Sequence, residues 1–438
     1  MTGTLGRSNV GILGAGIMGC CLALELARRG CKVDLIERAP APMTGASLHN
    51  EGKLHLGFVY ANDPLKKTHG LMVRGSLSFA RIIENLTGCN AADLASSRPF
   101  HYFVPVDSQL DVAAIHHHFH EVEKTIRDVS RSTGDSYLDL KTDCFFERNS
   151  SRDHESMFAP GMTLGSFRTE ERSVSPLAVA KALTRAVSNS PNVNFIGNTE
   201  VLSADRLACG DVELELRRNG EASTSRYSSI ANCLWGDRLR LDRTAGISDQ
   251  GPWLLRYKAT ITVAAAKKMP KDIPSATGIL GPYGDMVSHN DGSHYISWYP
   301  LCKLALTTDG DGRKLHDMVH KGIVSRCVKK MLSESPSISK IVSSFAHRKF
   351  IRNNIAEMAA YIPSMAHLLN DVARCKVGGG VILARGVTDI DDPTSYLHQR
   401  SVIGLVAHGS YITIDTGKYC TAPLFAQEAA DIIMNVLQ

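Results

Sequence analysis

Three glycines, Gly14, Gly16 and Gly19, stand in a G-x-G-x-x-G spacing, and an acid, Glu37, follows about twenty residues later. Each position has a physical task in holding a dinucleotide. Gly14 permits a tight turn, Gly16 lets the backbone approach a pyrophosphate, and Gly19 lets a helix pack closely on a strand. The helix that opens with Ile17 and Met18 directs its N-terminus at the phosphates. Glu37 can accept hydrogen bonds from both hydroxyls of an adenosine ribose, which disfavours a 2′-phosphate and hence NADP; Arg38 follows it directly.

These residues need a strand, a turn, a helix and a second strand in about thirty residues, and the sequence supplies them. NVGIL is a short apolar strand, IMGCCLALELARRG has the periodicity of a buried helix, and KVDLIE is a strand ending on the acid. Further on, the pattern predicts helices over 65–87 and 111–133 and a strand over 98–106, then a polar, poorly patterned stretch to about 170. Ser175 caps a helix with Pro176 in its first position, and a strand begins at Val193. Strands are expected over 212–217 and 229–235, and antiparallel strands with tight turns over 253–308. A helical region occupies 312–370, strands 377–387, 400–407 and 410–415, and a closing helix 421–437.

Composition excludes several classes. Of 438 residues, 43% are apolar and 21% charged, an ordinary globular balance that predicts a compact fold with a large core. The net charge of +5 is scattered and not gathered in runs, so nucleic acid is not implied. No apolar run is long enough to span a bilayer, and nine polar and small residues leave no room for a signal peptide before the first strand. A soluble cytoplasmic protein is therefore expected; its eleven cysteines lack zinc-like spacing, and an odd number without a signal peptide favours reduced thiols.

The segments GAGIMG with Glu37, GASLHNEG, SPLAVAKAL before NTEVLSAD, IANCLWGD and DTGKYCTAPLFAQEAADII together resemble the FAD-dependent oxidoreductases of D-amino-acid oxidase type. Within that superfamily, Asn50, Gly52, His55, Gly57, Tyr60, Pro64 and Lys67 are similar to the loop of L-2-hydroxyglutarate oxidases and dehydrogenases, although Leu65 and Lys66 depart from it. KLHLGFVY also resembles a loop of FAD-dependent glycerol-3-phosphate dehydrogenases. Residues 240–375 match neither, so no substrate transfers. The resemblance implies an α/β (α+β) fold: a Rossmann-type FAD-binding domain, discontinuous over 1–95, 172–245 and 377–438. An antiparallel-sheet substrate or cap domain, 96–171 and 246–376, would be inserted into it. FAD is the implied cofactor.

A flavin accepts a hydride equivalent at N5 and leaves negative charge at the N1 and C2 carbonyl side, where the protein must aim donors or a helix N-terminus. Gly417, Lys418 and the helix start at Thr421 are assigned to that side. Ser47 and Asn50 suit phosphate or ribityl hydroxyls, and Gly52, Val201, Trp235 and Gly236 belong to the matched cofactor segments. His55, in the loop expected along the flavin, is a base or substrate orienter because histidine titrates near neutral pH; the alternative is a histidine that only braces its loop. Lys53 faces the flavin or a substrate anion, or is a surface lysine. Arg385 ends a strand where relatives grip a carboxylate, a task that suits a guanidinium fork; otherwise it pairs with Asp389 or Asp391.

Tyr283, Tyr295 and Tyr299 line the same cavity or fill a core. His116, His117, His118 and His120 read as a solvated helical face, with a metal pair as the alternative, and no metal site is assigned. Cys420 is a conceivable point of covalent flavin attachment. The function expected is oxidation of a C–H bond next to a hydroxyl in a small polar, anionic substrate by hydride transfer to FAD, with oxygen, a quinone or another carrier as acceptor. The alternatives are an amine or D-amino-acid-type oxidase and a flavin-holding binding or assembly protein without turnover.

Overall fold

The computed structural model describes residues 9–90, 93–248, 251–265, 272–319 and 336–438. A six-stranded sheet collects strands from the two ends and the middle of the chain. Its order is Gly404–His408, Tyr411–Asp415, Ser229–Asn232, Asn9–Leu13, Lys32–Ile36 and Val193–Ile196, parallel except for the first pair. Asn9–Leu13 lies between two strands, and its Val10, Ile12 and Leu13 are fully buried, as a strand covered on both faces requires. Helix Ile17–Arg28 packs against the closing helix Ala422–Val436.

A nine-stranded sheet is built mainly from the intervening segments. It is antiparallel apart from one parallel pair, Phe100–Pro105 with Ser275–Gly278. The strand Cys375–Arg385, expected with the dinucleotide fold from residue 377, pairs along its whole length with Trp253–Val263 in this second sheet. A three-stranded sheet, Thr199–Arg206, Val212–Arg218 and Glu221–Tyr227, completes the strands.

Local chemistry accounts for many element ends. Ser175 accepts a hydrogen bond from the Ala178 amide with Pro176 in the first turn, as its sequence predicts. Asp111 caps Val112–Thr133 through the Ala114 amide, and Gly134 in a left-handed conformation ends it. The stretch expected to be irregular up to 170 instead holds Phe146–Arg148, Ser151–Met157 and Thr163–Thr169. The two strands sit at one edge of the large sheet, and in Thr163–Thr169 the polar Thr163, Ser166 and Thr169 are buried while Leu164 is exposed, which blurs the apolar signal.

The strand Ser229–Asn232 stops short of 235 because Trp235 adopts a positive φ of 53° in a turn. Glu221–Tyr227, exposed over most of its length, escapes the apolar pattern. Of the helical region expected over 312–370, residues 320–335 lie outside the described residues; Pro336–Ala359 is a helix and Pro363–Arg374 a 3-10 helix. Among the described residues no helix is long and apolar enough to cross a membrane, and the cysteines are free thiols.

Candidate functional site

The strand-to-helix turn behaves as its glycines require. Gly14 has φ of 92°, and a side-chain carbon at Gly19 would lie 1.9 Å from the Gly14 carbonyl oxygen. Two backbone amides, those of Ala15 and Ala39, donate to the Glu37 carboxylate at 2.8 and 2.9 Å. The Ile17 amide donates to Ser47 Oγ at 3.0 Å, so the following loop is tied to the helix N-terminus. First-turn amides have no partner within the helix, which leaves that terminus ready for an anion.

A cavity of about 840 Å³ opens from this turn. Every cofactor residue expected from the sequence lies in its wall except Gly19, Gly52 and Thr421. Those three act behind the wall. Gly19 sits under the turn; a side chain at Gly52 would meet the Val174 carbonyl at 2.1 Å; Thr421 donates its hydroxyl inward to the Thr416 and Lys418 carbonyls. Asn50 reaches the wall, but its side chain braces its own loop: its amide donates to the Ser47 carbonyl at 2.8 Å and its oxygen accepts from the Gly52 amide at 2.7 Å.

Of the catalytic expectations, Lys53, His55 and Lys418 line the cavity and Arg385 does not. Arg385 lies beside Gly251 at the strand end that pairs with Trp253, beyond the part of the strand, up to Leu383, that forms the wall. Asp389, offered as its alternative partner, is held instead by Arg256 at 3.2 Å, Tyr299 at 2.5 Å and Lys303 at 2.5 Å. Tyr299 belongs to that cluster, Tyr283 packs with Trp298 and Tyr361, and Tyr295 with Phe100 and Val287; none of the three tyrosines lines the cavity. Cys420 is buried behind the wall.

Lys53 is not a surface lysine. It is 1% exposed, donates to Thr277 Oγ1 at 2.8 Å, stands 3.5 Å from Glu171, and lies over the rings of Phe100 and Tyr102. Thr277 donates to Asp285, whose other oxygen is 3.6 Å from Lys258. A line of alternating charges thus ties the loop to the large sheet.

His55 is buried at the cavity wall. Its Nε2 is 3.4 Å from Lys418 Nζ and 3.6 Å from Glu51 Oε1, and its Nδ1 has no hydrogen-bond partner. Burial and the Lys418 charge push its pKa below the usual imidazole value, against the pull of Glu51. Burial works to raise the Glu51 carboxyl, but His55, Lys258 and Lys418 outweigh it and hold it well below the usual range. Burial also lowers the Lys418 ammonium. The set therefore presents a neutral imidazole between an anion and a cation at neutral pH.

Glu51, Glu171, Lys258, Asp285 and Arg400 are the charged groups around this end of the cavity that the sequence reading missed. Glu51 carried a signal, four residues before His55 in one loop; the others come from distant segments with no local mark. The histidine cluster is also corrected in part: His118 is buried, its Nε2 3.1 Å from the Gly57 carbonyl, and burial lowers its pKa to about 4. His116 and His120 pack edge to face beside Phe146, and no group of three metal-ligating side chains occurs among the described residues.

The chain matches the DAO family, FAD dependent oxidoreductase, over residues 9–378, and it belongs to that family. Its fold is similar to glycine oxidase from Geobacillus kaustophilus, with a TM-score of 0.62 and 14% identity over 98% of this chain and 95% of that one. It is likewise similar to L-alpha-glycerophosphate oxidase from Mycoplasma pneumoniae with FAD bound (TM-score 0.60, 15% identity, 98% and 94% covered). L-proline dehydrogenase from P. horikoshii gives a TM-score of 0.61 at 12% identity, with 99% and 93% covered. A segment of 86 residues is 33% identical to kynurenine 3-monooxygenase from Mycosarcoma maydis, and spans 20% of this chain and 13% of that protein.

The residues present fit FAD, the family's cofactor. The glycine turn leaves a cradle that side chains would fill, the helix terminus and Ser47 follow it along the wall, and toward Lys418 the His55 Nδ1 and Tyr60 hydroxyl are buried polar atoms without partners. The protein is thus an FAD-dependent oxidoreductase of mixed α/β architecture.

Proposed function

We propose that this enzyme oxidises a C–H bond next to a hydroxyl in a small polar, anionic substrate, with His55 as the base. FAD, when bound, supplies the hydride acceptor. The observation that carries the reading is the placement of His55 Nε2 between Lys418 and Glu51 in the cavity wall. A neutral imidazole can take the hydroxyl proton at Nε2 as the hydride departs, and the imidazolium that forms faces the Glu51 carboxylate, which stabilises it. Lys418 disfavours protonation before substrate arrives.

Around this end Lys53, Lys258, Arg400 and Lys418 line the cavity, and against Glu51 and the paired acids Glu171 and Asp285 they leave a small surplus of positive charge, carried by Lys418 and Arg400, that favours a carboxylate or phosphate. The loop's similarity to L-2-hydroxyglutarate and glycerol-3-phosphate oxidising enzymes, and the glycerophosphate oxidase among the fold's neighbours, support a hydroxyl over an amine. Gly14, Gly16, Ile17, Met18 and Ser47 would hold the phosphates, Glu37 the ribose, and Gly417 and Lys418 the flavin's pyrimidine side. We place the division into a cofactor body and a cap at 1–95, 172–245 and the segment after Arg385 for the body, and 96–171 with 246–385 for the cap. A cytoplasmic setting and oxygen or a quinone-type carrier as acceptor complete the proposal.

A second reading, oxidation of an amine, is supported by the glycine oxidase and L-proline dehydrogenase neighbours. Anaerobic flavin bleaching with 2-hydroxy acids, glycerol phosphates and amino acids separates the two. Bleaching by a hydroxy compound, lost in His55→Ala, is expected. Bleaching confined to amines, with a carbonyl product and ammonia, selects the second reading. Undiminished reduction in His55→Ala removes the base assignment.

A further inference from the structure

Glu171 is a fully buried acid on which four donors converge, and the chemistry above gives it no part. Its Oε1 accepts from the backbone amides of Leu56 at 2.6 Å and Gly57 at 3.3 Å. Its Oε2 accepts from the Tyr102 hydroxyl at 2.5 Å and stands 3.5 Å from Lys53 Nζ. Three of those four donors belong to residues 53–57, the segment with His55 at its centre.

Other contacts hold single points of that segment. The Tyr137 hydroxyl donates to the Leu54 carbonyl at 2.8 Å, Ser76 Oγ to the His55 carbonyl at 2.6 Å, and the Leu54 amide to the Arg172 carbonyl at 3.0 Å. Among the described residues, the Glu171 carboxylate alone grips side chain and backbone on both flanks of the histidine. Gly57, with φ of 106° and room for no side chain against His69, turns the chain so that two successive amides reach one oxygen.

We propose that Glu171 is a positioning residue for the reaction at His55, fixing residues 53–57 so that the imidazole presents Nε2 to the cavity between Glu51 and Lys418. The proposal rests on the reading of His55 as the base. A buried carboxylate satisfied by four donors is rigid, and its negative charge also bears on the histidine. The charged and titratable groups facing His55 are Glu51 and Lys53 from its own loop, Glu171, Lys418 and the Cys420 thiol from the C-terminal turn, the thiol hydrogen-bonded to the His55 backbone, and Tyr60, whose ring centroid is 6.3 Å from that of the imidazole. Glu171 acts to raise the His55 pKa and Lys418 and Lys53 to lower it. Removing the Glu171 charge therefore moves the imidazole titration further down.

The test uses the full FAD-loaded chain and Glu171→Gln. Imidazole nitrogen NMR against pH, with His55→Asn assigning the resonance, is expected to show the His55 proton affinity falling by about threefold or more. The acid limb of anaerobic flavin reduction should move the same way, with the limiting rate falling more than the apparent substrate affinity. Unchanged His55 titration in a folded Glu171→Gln protein overturns the proposal and leaves Glu171 a structural acid. Should that variant not fold, hydrogen exchange of the unsubstituted protein decides: slow exchange at Leu56 and Gly57 supports the clamp, and exchange at the rate of exposed loops overturns it. If His55→Asn reduces flavin normally while Glu171→Gln still shifts the titration, the positioning stands and the base assignment falls.

Discussion

The Gly14–Gly19 turn and the 51–57 segment line one cavity and are built by different means. The turn works through backbone: left-handed φ at Gly14, a helix terminus, and a Glu37 carboxylate that accepts from two amides. Its parts lie close in sequence, and apart from Glu37 its polarity is that of peptide groups, which do not titrate. The 51–57 segment works through buried side-chain charge, with Glu171, Asp285, Lys258 and Lys418 arriving from four distant segments. A backbone site holds its ligand at any ordinary pH, whereas a site made of charges can be tuned by burial and also broken by one substitution.

The sharpest way to separate the two ends is His55→Ala. It should slow anaerobic flavin reduction at saturating substrate by about 10²–10⁴, measured by stopped flow, and leave the flavin content intact because the turn is untouched. Loss of flavin together with rate would show that the ends are not independent.

Lys53→Met strands the Glu171 carboxylate in the core and should cost about 3–5 kcal/mol in denaturant unfolding. The double variant with Glu171→Gln should recover most of that. A mild single variant would mean that water reaches the pair. Gly19→Ala, which drives a methyl into the Gly14 carbonyl, should cost about 1–3 kcal/mol and reduce the FAD retained on purification, read from the ratio of visible to ultraviolet absorbance. Here stability and flavin should fall together, with the rate per bound flavin unchanged.

The pH behaviour should divide in the same way. The imidazole's ordinary value is 6.5 and folding depresses it, so the reactive neutral form persists at and somewhat below pH 6.5, and flavin reduction declines only as pH falls through the folded value. For stability the sign is the same: the unfolded chain binds the proton first, so the contribution of His55 is complete above 6.5 and is lost as pH falls from there to the folded pKa. FAD retention, set by backbone groups, should stay flat across this window in equilibrium dialysis. The smallest effect is expected from Arg385→Ala: lying outside the wall, it should alter apparent substrate affinity by less than about twofold, within the range of ordinary surface substitutions.

The contrast also explains what could be read from the sequence. The turn, Glu37, the Ser175–Pro176 helix start and the loop carrying His55 were legible because local backbone geometry restricts residue types. Glu171 and Lys258 were not, since a buried charge is recognised by its partner and the partners are set by tertiary packing. His118 was misread as solvated although Ile115, His118, Phe119 and Val122 share one buried helical stripe, a spacing that the polarity of three histidines disguised. Alternation along the strand Cys375–Arg385 shows which residues share a face, but not where the cavity ends, and Arg385 lies beyond that end.

The six-stranded sheet has a consequence for synthesis. Ser229–Asn232 pairs on one side with the strand at the start of the chain and on the other with Tyr411–Asp415 near its end. On the ribosome, Asn9–Leu13 emerges early and its inner edge stays bare until residue 229 has been translated. An unpaired apolar edge is a template for wrong partners, so the vulnerable interval for aggregation falls before the last strands arrive. Slow translation across the cap would lengthen that exposure, and chaperone dependence should be greatest for nascent chains stalled between these two strands.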